Sequence, residues 1–160
     1  NGRDWLGDDS PACELNLVNK EGSFYGYPYK HAKDVIDPEF GYMIPSVDKE
    51  FVDPIAELGA HVAPLGIAFY DGKEFPEKYH NSVFIALHGS WNRTKKSGYK
   101  VILVKLDDNG NYLYQEDFIT GWLSNETAWG RPAAPFVMSD GSLLVSDDKH
   151  NVIYKVQYKG

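Results

Sequence analysis

A chain of 160 residues is long enough for one substantial hydrophobic core, and an apolar content of 42% is that of a folded protein rather than a disordered one. The net charge of −7 and the lack of a Lys- or Arg-rich run argue against a nucleic-acid binder, and no apolar stretch reaches the roughly 18 residues of a membrane span. Cys13 is the single cysteine, which excludes an internal disulfide and a Cys-rich zinc site.

The chain opens with a polar loop over residues 1–13 that is rich in Asp and Gly. Carboxylate and carbonyl oxygens in a tight loop are the ligands that Ca²⁺ prefers, although the spacing is not that of an EF-hand. An acidic turn without a metal is the alternative. Because the sequence starts inside this loop, without an initiator Met or a signal segment, we expect an N-terminal part to be missing.

A strand is predicted over Glu14 to Val18, and a turn over Lys20 to Gly22. The side chains of Glu14 and Asn16 are two residues apart and therefore point to the same face of a strand. Together with the carbonyl of Tyr25 they could bind a cation, or they could simply face solvent.

The pattern of short apolar runs and turns is less regular over residues 30–60 and 111–130, and surface loops are predicted at 37–40 and 44–46. Elsewhere, short runs rich in Val, Ile and Phe and bounded by Asp-Gly turns predict strands. These strands are predicted at 66–70, 83–87, 99–106, 134–139, 142–146 and 152–158.

The order strand, Asp-Gly turn, apolar strand, polar loop and strand occurs over 66–106 and again over 134–158, and the opening segment fits the back half of another copy. Four-stranded repeats of this length are typical of β-propeller blades. A β-sandwich is the alternative, but it would not explain why the polar loops fall at one place in the repeat. In a propeller the loops at 1–13, 88–98 and 147–151 would converge on one face.

Several polar residues are predicted to lie on this face. His61 and Arg131 take equivalent positions before the first strand of two repeats. Arg131 is suited to a carboxylate or a phosphate, and stacking on Trp129 is the alternative. The segment 147–150 could supply ligands, or it could be an exposed turn.

His88, Trp91, Asn92 and Arg93 share the loop that follows the strand at 83–87. Polar side chains held just past a strand end are placed to meet ligands. No nucleophile elbow is present, so a serine-hydrolase triad is not predicted.

Several blocks occur in an order and at a spacing that characterise one protein family: Gly2–Asp9, Glu14–Asn16, Tyr25–Pro28, Leu58–Gly66, His88–Arg93, Gly130–Pro132 and Gly141–Asp148. Together they resemble the glucose/sorbosone dehydrogenase family, and most closely its L-sorbosone dehydrogenase-like branch. The resemblance implies an all-β fold of about three four-stranded blades, half of a six-bladed β-propeller. Residues 1–160 would then form one partial domain that lacks its N-terminal half.

Members of that family are soluble, usually exported quinoproteins. The resemblance therefore implies a periplasmic or secreted oxidoreductase that uses pyrroloquinoline quinone (PQQ) and Ca²⁺ to oxidise a sugar or a polyol-derived alcohol or aldehyde. Either a second copy of the chain or the missing half would cover the edge strands and apolar faces that half a ring exposes.

The resemblance also implies metal sites. The carbonyls of Gly2 and Arg3 match the place where the family holds the Ca²⁺ of the cofactor, and Glu14 and the Tyr25 carbonyl match a second, structural Ca²⁺ site. The cofactor's Ca²⁺ would polarise the quinone carbonyl that accepts hydride.

His61, His88, Asn92, Arg93 and Arg131 match positions around PQQ, whose carboxylates require imidazole and guanidinium donors. The family's catalytic histidine and a further arginine belong to the missing segment, so no catalytic residue is assigned here, and the chain alone is expected to lack full activity. The alternatives are a non-catalytic propeller that binds carbohydrate or protein through the same face, and a module that uses Ca²⁺ only for stability.

Overall fold

The structure is a computed structural model that describes residues 1–44 and 51–160. In these two ranges strands predominate, and the helical segments are single 3₁₀ turns at Gly41–Met43 and Glu77–Tyr79. The prediction of an all-β fold is confirmed. Within the same ranges no helix has the length and apolar character of a membrane span. The loop predicted at 44–46 lies mostly outside the described residues.

The chain forms two compact units, of which the first comprises Asn1–His61 and Trp91–Thr94. It contains small antiparallel sheets in which β1 pairs with β4 and β2 pairs with β3. The strands are β1 (Ala12–Leu15), β2 (Lys30–His31), β3 (Val35–Ile36) and β4 (Ala56–Ala60). In the β1–β4 pair a register shift between Cys13 and Glu14 places Glu14 opposite Glu57.

The second unit comprises Val62–Ser90 and Lys95–Gly160. It contains a four-stranded sheet with the order β5-β6-β7-β8, a three-stranded sheet with the order β11-β12-β13, and the short pair β9–β10, all antiparallel. The strands are β5 (Pro64–Tyr70), β6 (Ser82–Leu87), β7 (Lys100–Leu106), β8 (Tyr112–Ile119), β9 (Leu123–Ser124), β10 (Thr127–Ala128), β11 (Pro132–Val137), β12 (Leu143–Asp147) and β13 (Val152–Val156).

The core of the second unit lies on the central strands. Every residue of β6 is buried, and β7 is buried over most of its length, which explains why both are continuous apolar runs rather than alternating ones. The buried side chains of Phe84, Leu103 and Val145 pack in one cluster with the buried indole of Trp122. The Asp107 carboxylate accepts hydrogen bonds from the backbone N–H groups of Asn109 and Asn111 and so closes the turn into β8.

The predicted strands therefore occur, with shifted ends, while three regions differ from expectation. The segment predicted to be irregular over 30–60 contains the short strands β2 and β3 and the five-residue strand β4. The segment predicted to be irregular over 111–130 contains β8, an edge strand with mostly exposed side chains, whose composition carries no clear apolar alternation. The prediction of a surface loop at 37–40 is wrong for Asp37, which is only 2% exposed. The assignment of residues 1–160 to one domain stays a prediction.

Gly66 marks a close approach between β5 and β11. A Cβ at this position would meet the backbone of Ala134 and lie 2.7 Å from the carbonyl oxygen of Ala133. We expect Gly66→Ala to lower the free energy of unfolding by about 1–3 kcal/mol, because backbone atoms must shift to admit the methyl group. Urea denaturation measures the change. Gly160→Ala, whose Cβ would lie 3.6 Å from the Tyr158 ring, is the control, and equal stabilities would contradict the prediction.

Candidate functional site

In the first unit, His61 fastens the acidic loop near the chain start. Its side chain is almost fully buried; Nδ1 lies 3.1 Å from Oδ1 of Asp4, and Nε2 lies 2.7 Å from the carbonyl oxygen of Gly7. Both ring nitrogens therefore contact the loop, Nδ1 at Asp4, which precedes Trp5 in the sequence, and Nε2 at Gly7, which follows it. The imidazole positions this loop directly, and any contact that it makes with a cofactor would be additional to these bonds.

Arg93 binds the next part of the same loop. Its Nε donates to the carbonyl of Asp8 at 2.8 Å and its Nη2 donates to the carboxylate of Asp9 at 2.5 Å. The N–H of Thr94 donates to the Asp8 carboxylate, which lowers the pKa of that carboxyl. Two predicted polar loops, 1–13 and 88–98, thus meet within this unit through residues 4–9 and 91–94.

The indoles of Trp5 and Trp91 also meet there. They contact edge to face with 5.6 Å between ring centroids, and both are mostly exposed to solvent. Asn92, between Trp91 and Arg93, is half-buried, and its side-chain amide makes no hydrogen bond to any residue that the structure describes. The amide is therefore available to a ligand.

In the second unit, Arg131 fastens the start of the 88–98 loop. Its Nε donates to the carbonyl of His88 at 3.0 Å and its Nη2 to the carbonyl of Gly89 at 2.6 Å. The guanidinium lies over the ring of Tyr99, 5.5 Å from its centroid. Tyr99, rather than the neighbouring Trp129, supplies the aromatic contact. These bonds leave donor groups of the guanidinium that can still bind an anion.

His88 meets the predicted loop at 147–151. Its Nε2 lies 2.8 Å and 3.0 Å from the two carboxylate oxygens of Asp148. The preceding residue, Asp147, is buried and accepts hydrogen bonds from the N–H of Arg131 and from the hydroxyl of Tyr154. The turn at 147–150 is thus exposed at Asp148 and buried at Asp147.

Burial alone would raise the pKa of Asp147, but its hydrogen bonds from the N–H groups of Arg131 and His150 and from Tyr154 lower it below the ordinary value. The carboxylate therefore stays ionised and orders the turn. The sequence feature that could have indicated the burial of Asp147 is its position at the end of an apolar strand.

A second buried carboxylate was missed by sequence reasoning. Asp37 accepts hydrogen bonds from the Arg3 guanidinium, from Nε2 of His31 at 2.7 Å, and from the N–H groups of Glu39 and Phe40 at 2.8 and 2.7 Å. Burial would raise the pKa of Asp37, but the bonds from Arg3 and His31, followed by the two backbone bonds, lower it well below its usual range. Asp37 thus links the start of the chain to β2.

The predicted metal ligands are also in the first unit. Glu14 accepts hydrogen bonds from the N–H of Ala32 at 2.6 Å and from the side-chain amide of Asn16 at 3.0 Å. The carbonyl oxygen of that amide is buried and has no hydrogen-bond partner among the residues that the structure describes, which is the condition expected of a cation ligand. Tyr25 donates from its hydroxyl to the carbonyl of Leu17.

Among the described residues, no group of three or more His, Cys, Asp or Glu side chains is arranged to hold a metal ion. A Ca²⁺ ion would therefore depend on backbone carbonyl and amide oxygens, which suit this hard cation. The carbonyls of Gly2 and Arg3, one carboxylate at Glu14, the Asn16 amide and the Tyr25 carbonyl fit that chemistry.

Comparison with known proteins decides the family. A sequence model described as TrAA12-like matches residues 46–159, which is more than half of the chain. The chain belongs to the TrAA12-like family. The resemblance to PQQ-dependent sugar dehydrogenases that the sequence predicted is confirmed by this match and by the relatives of the TrAA12-like chain.

Two curated relatives illustrate the relationship. An uncharacterized protein from Borreliella burgdorferi is 41% identical over 164 residues, covering 99% of this chain and 42% of that protein. A pyrroloquinoline quinone-dependent pyranose dehydrogenase from Coprinopsis cinerea is 42% identical over 53 residues, covering 33% of this chain and 6% of that enzyme. The TrAA12-like chain therefore spans less than half of the length of either relative.

Solved structures share the fold. The calcium structure of a Trichoderma reesei carbohydrate-active enzyme of family AA12 aligns with a TM-score of 0.73 at 24% identity, covering 95% of this chain and 44% of that one. The holo PQQ domain of the Coprinopsis cinerea pyranose dehydrogenase gives a TM-score of 0.71 at 23% identity, covering 96% and 46%. A glucose dehydrogenase gives 0.62 at 21% identity, covering 98% and 40%.

Proposed function

We propose that this chain is the C-terminal half of a quinoprotein that uses PQQ and Ca²⁺ to oxidise a sugar or a sugar-derived alcohol or aldehyde. The observation that carries the proposal is the fold shared over nearly the whole chain with the PQQ domain of a pyranose dehydrogenase. A fold does not fix a function, so the proposal also depends on the polar groups described above.

The architecture that we propose is half of a six-bladed β-propeller, exported to the periplasm or secreted. The β5–β8 sheet has the four antiparallel strands of one blade, and the β11–β13 sheet has the form of a blade that lacks one strand. Exposed apolar side chains on β5, such as Ile67 and Phe69, would be covered by the N-terminal half of the protein or by a second copy of the chain.

The proposed role of His61, Asn92 and Arg93 in the first unit, and of His88 and Arg131 in the second, is to contact PQQ. Arg131 supplies a guanidinium already oriented by two carbonyls, and Asn92 supplies an amide without a partner among the described residues. His61 and Arg93 hold the acidic loop in place. When bound, PQQ supplies the oxidising group, and these residues bind its carboxylates and fix its orientation.

The proposed role of the oxygen ligands is to hold Ca²⁺ at two places. The carbonyls of Gly2 and Arg3 would hold the ion beside the cofactor. Glu14, the Tyr25 carbonyl and the unpartnered oxygen of Asn16 would hold a structural ion. No residue of this chain is assigned as the base that takes the substrate proton.

The function is tested on the full-length protein with added PQQ and Ca²⁺. We expect PQQ absorbance to remain with the protein after gel filtration, and an aldose to reduce an artificial dye at a rate that disappears without PQQ. Ca²⁺ alone should raise the melting temperature because it occupies oxygen ligands in the folded state only. A shift with Ca²⁺ but no bound PQQ and no dye reduction would favour a Ca²⁺-stabilised propeller without catalysis.

A further inference from the structure

In the second unit, the backbone of His88 is fixed on both sides of its side chain. Its N–H donates to the carbonyl of Ala63 at 2.9 Å, and its own carbonyl accepts from Nε of Arg131 at 3.0 Å. The side chain is 15% exposed, so most of the ring is packed and a small part is accessible to a ligand. Because the backbone is held, the side-chain torsions decide the direction in which the ring meets that ligand.

Asp148, which lies 60 positions later in the chain, holds this ring. Nε2 of His88 lies 2.8 Å from Oδ1 and 3.0 Å from Oδ2 of the carboxylate. A carboxylate only accepts hydrogen bonds, so Nε2 carries a proton and donates it to this pair of oxygens. In a histidine, the hydrogen bond at one ring nitrogen sets the role of the other. A ligand therefore meets the ring on its Nδ1 side, in a direction that Asp148 sets.

The backbone that carries Asp148 is also held in place. The buried carboxylate of Asp147 accepts from the N–H groups of Lys149 at 3.1 Å and of His150 at 2.9 Å, which closes the turn around Asp148. The same oxygen of Asp147 accepts from the N–H of Arg131 at 2.9 Å. The ion pair therefore joins two fixed segments of backbone, which is the arrangement that presents a side chain to a ligand in one direction.

The pair contributes little to the stability of the protein. The side chain of Asp148 is 60% exposed, and exposed ion pairs are screened by solvent and require two side chains to be ordered. A comparable pair in the same unit joins Nζ of Lys100 to Oδ1 of Asp117 at 2.6 Å, and the Asp117 side chain is 52% exposed. The pair of Asp148 differs because its partner, His88, is assigned a contact with PQQ, so its effect is expected on binding rather than on folding.

We propose that Asp148 is a positioning residue of the cofactor site, which fixes the ring of His88 before PQQ binds and does not contact PQQ itself. This inference rests on the proposed function. It predicts that loss of Asp148 weakens PQQ binding, and that the loss acts through His88. Charge alone predicts the opposite sign, because a carboxylate repels an anionic cofactor and its removal would then strengthen binding.

The test is a double-mutant cycle on the full-length protein with saturating Ca²⁺, in which PQQ is titrated and followed by its absorbance. We expect Asp148→Ala to weaken PQQ binding about tenfold, the equivalent of one hydrogen bond, and to have no further effect in the His88→Ala background. Asp148→Asn keeps an acceptor oxygen for Nε2 and should recover most of the lost affinity. Asp117→Ala, which breaks the comparable exposed pair, is the matched control and should bind PQQ as the wild type does.

A second measurement uses ¹⁵N-labelled histidine and no PQQ. Asp148→Ala should shift the Nε2 resonance of His88, whereas Asp117→Ala should leave it unchanged. The melting temperatures of both aspartate variants should stay close to that of the wild type, because both side chains are exposed. If His88→Ala does not fold, the order of PQQ affinities among the wild type, Asp148→Asn and Asp148→Ala decides the matter.

Two results overturn the inference and leave the proposed function standing. In the first, the wild type binds PQQ and Asp148→Ala binds it equally or more tightly. In the second, Asp148→Ala weakens binding by the same factor whether or not His88 is present. If the wild type binds no PQQ, the proposed function is overturned and the positioning role of Asp148 with it.

Discussion

Asp37→Asn is expected to lower the melting temperature by about 5 °C or more, among the largest effects of any polar substitution in this chain. The buried carboxylate of Asp37 accepts from Arg3, His31 and the N–H groups of Glu39 and Phe40. Asparagine keeps one acceptor oxygen and adds a donor. If the added N–H group faces the buried His31 ring, that ring loses its acceptor, which costs more than the lost bond itself. If it faces Arg3, the guanidinium keeps only its pair with Glu39 and its contact with solvent.

The same substitution should change the dependence of stability on pH. Hydrogen bonds from Arg3 and His31 outweigh burial and lower the pKa of Asp37 in the folded state. A carboxyl with a lowered folded pKa stabilises the protein above its unfolded pKa, about 4, and this contribution is lost as the pH falls further. The wild type should therefore lose stability below about pH 4 more steeply than Asp37→Asn.

Thermal melting measures the first effect, and urea denaturation across the acidic range measures the second. Asp34→Asn is the matched control, because Asp34 lies three positions earlier in the same segment and is exposed. Its melting temperature, and the dependence of its stability on pH, should be those of the wild type. If Asp37→Asn has the melting temperature of the wild type, and its free energy of unfolding depends on acidic pH in the same way, the hydrogen bonds of Asp37 contribute little to stability. Asp140 and Asp147, whose pKa values are also lowered, keep some acid dependence in every variant.

Arg131→Lys is expected to reduce dye reduction by the full-length protein about 100-fold, and to weaken PQQ binding with it. The guanidinium holds the carbonyls of His88 and Gly89 at once and lies over Tyr99. Lysine keeps the charge but lacks the planar fork, so it cannot make both bonds and the stacking contact together. The loop that carries His88 and Asn92 would lose its anchor.

The measurement is kcat/KM with an aldose together with a PQQ titration followed by absorbance. Lys149→Arg, a charge-conserving change at an exposed position in the second unit, is the control and should be neutral. Near-normal activity of Arg131→Lys would show that dye reduction depends neither on the contacts of Arg131 with the loop nor on a contact with the cofactor. If the variant folds and binds PQQ normally but turns over slowly, Arg131 affects the orientation of bound PQQ rather than the affinity for it.

The sequence predicted β6 and β7 well and β8 poorly, for a physical reason. Central strands are buried on both faces, so their residues must be apolar and the run is visible in the sequence. The edge strand β8 is mostly exposed, so few of its side chains are constrained to be apolar, and its sequence YLYQEDFI gives no clear period. Turn chemistry was equally local: Asp107 closes its turn with bonds to residues within four positions.

The assignment of the site residues stays a prediction. His61, Arg93, His88 and Arg131 were chosen from the sequence, and the structure brings His61 and Arg93 onto the acidic loop of the first unit and His88 and Arg131 together in the second. Asp37 was missed, because an Asp followed by Pro in a polar segment is typical of an exposed turn.

The sequence by itself determined that the chain is all-β, where its buried strands and tight turns lie, and which family it resembles. These features depend on side-chain alternation, continuous apolar runs and residue motifs, which are local properties. Tertiary structure alone decided that Asp37 and Asp147 are buried rather than exposed. Their burial requires donors that are distant in the chain, such as Arg3 for Asp37 and Arg131 for Asp147, and a carboxylate leaves water only where such donors replace its hydration.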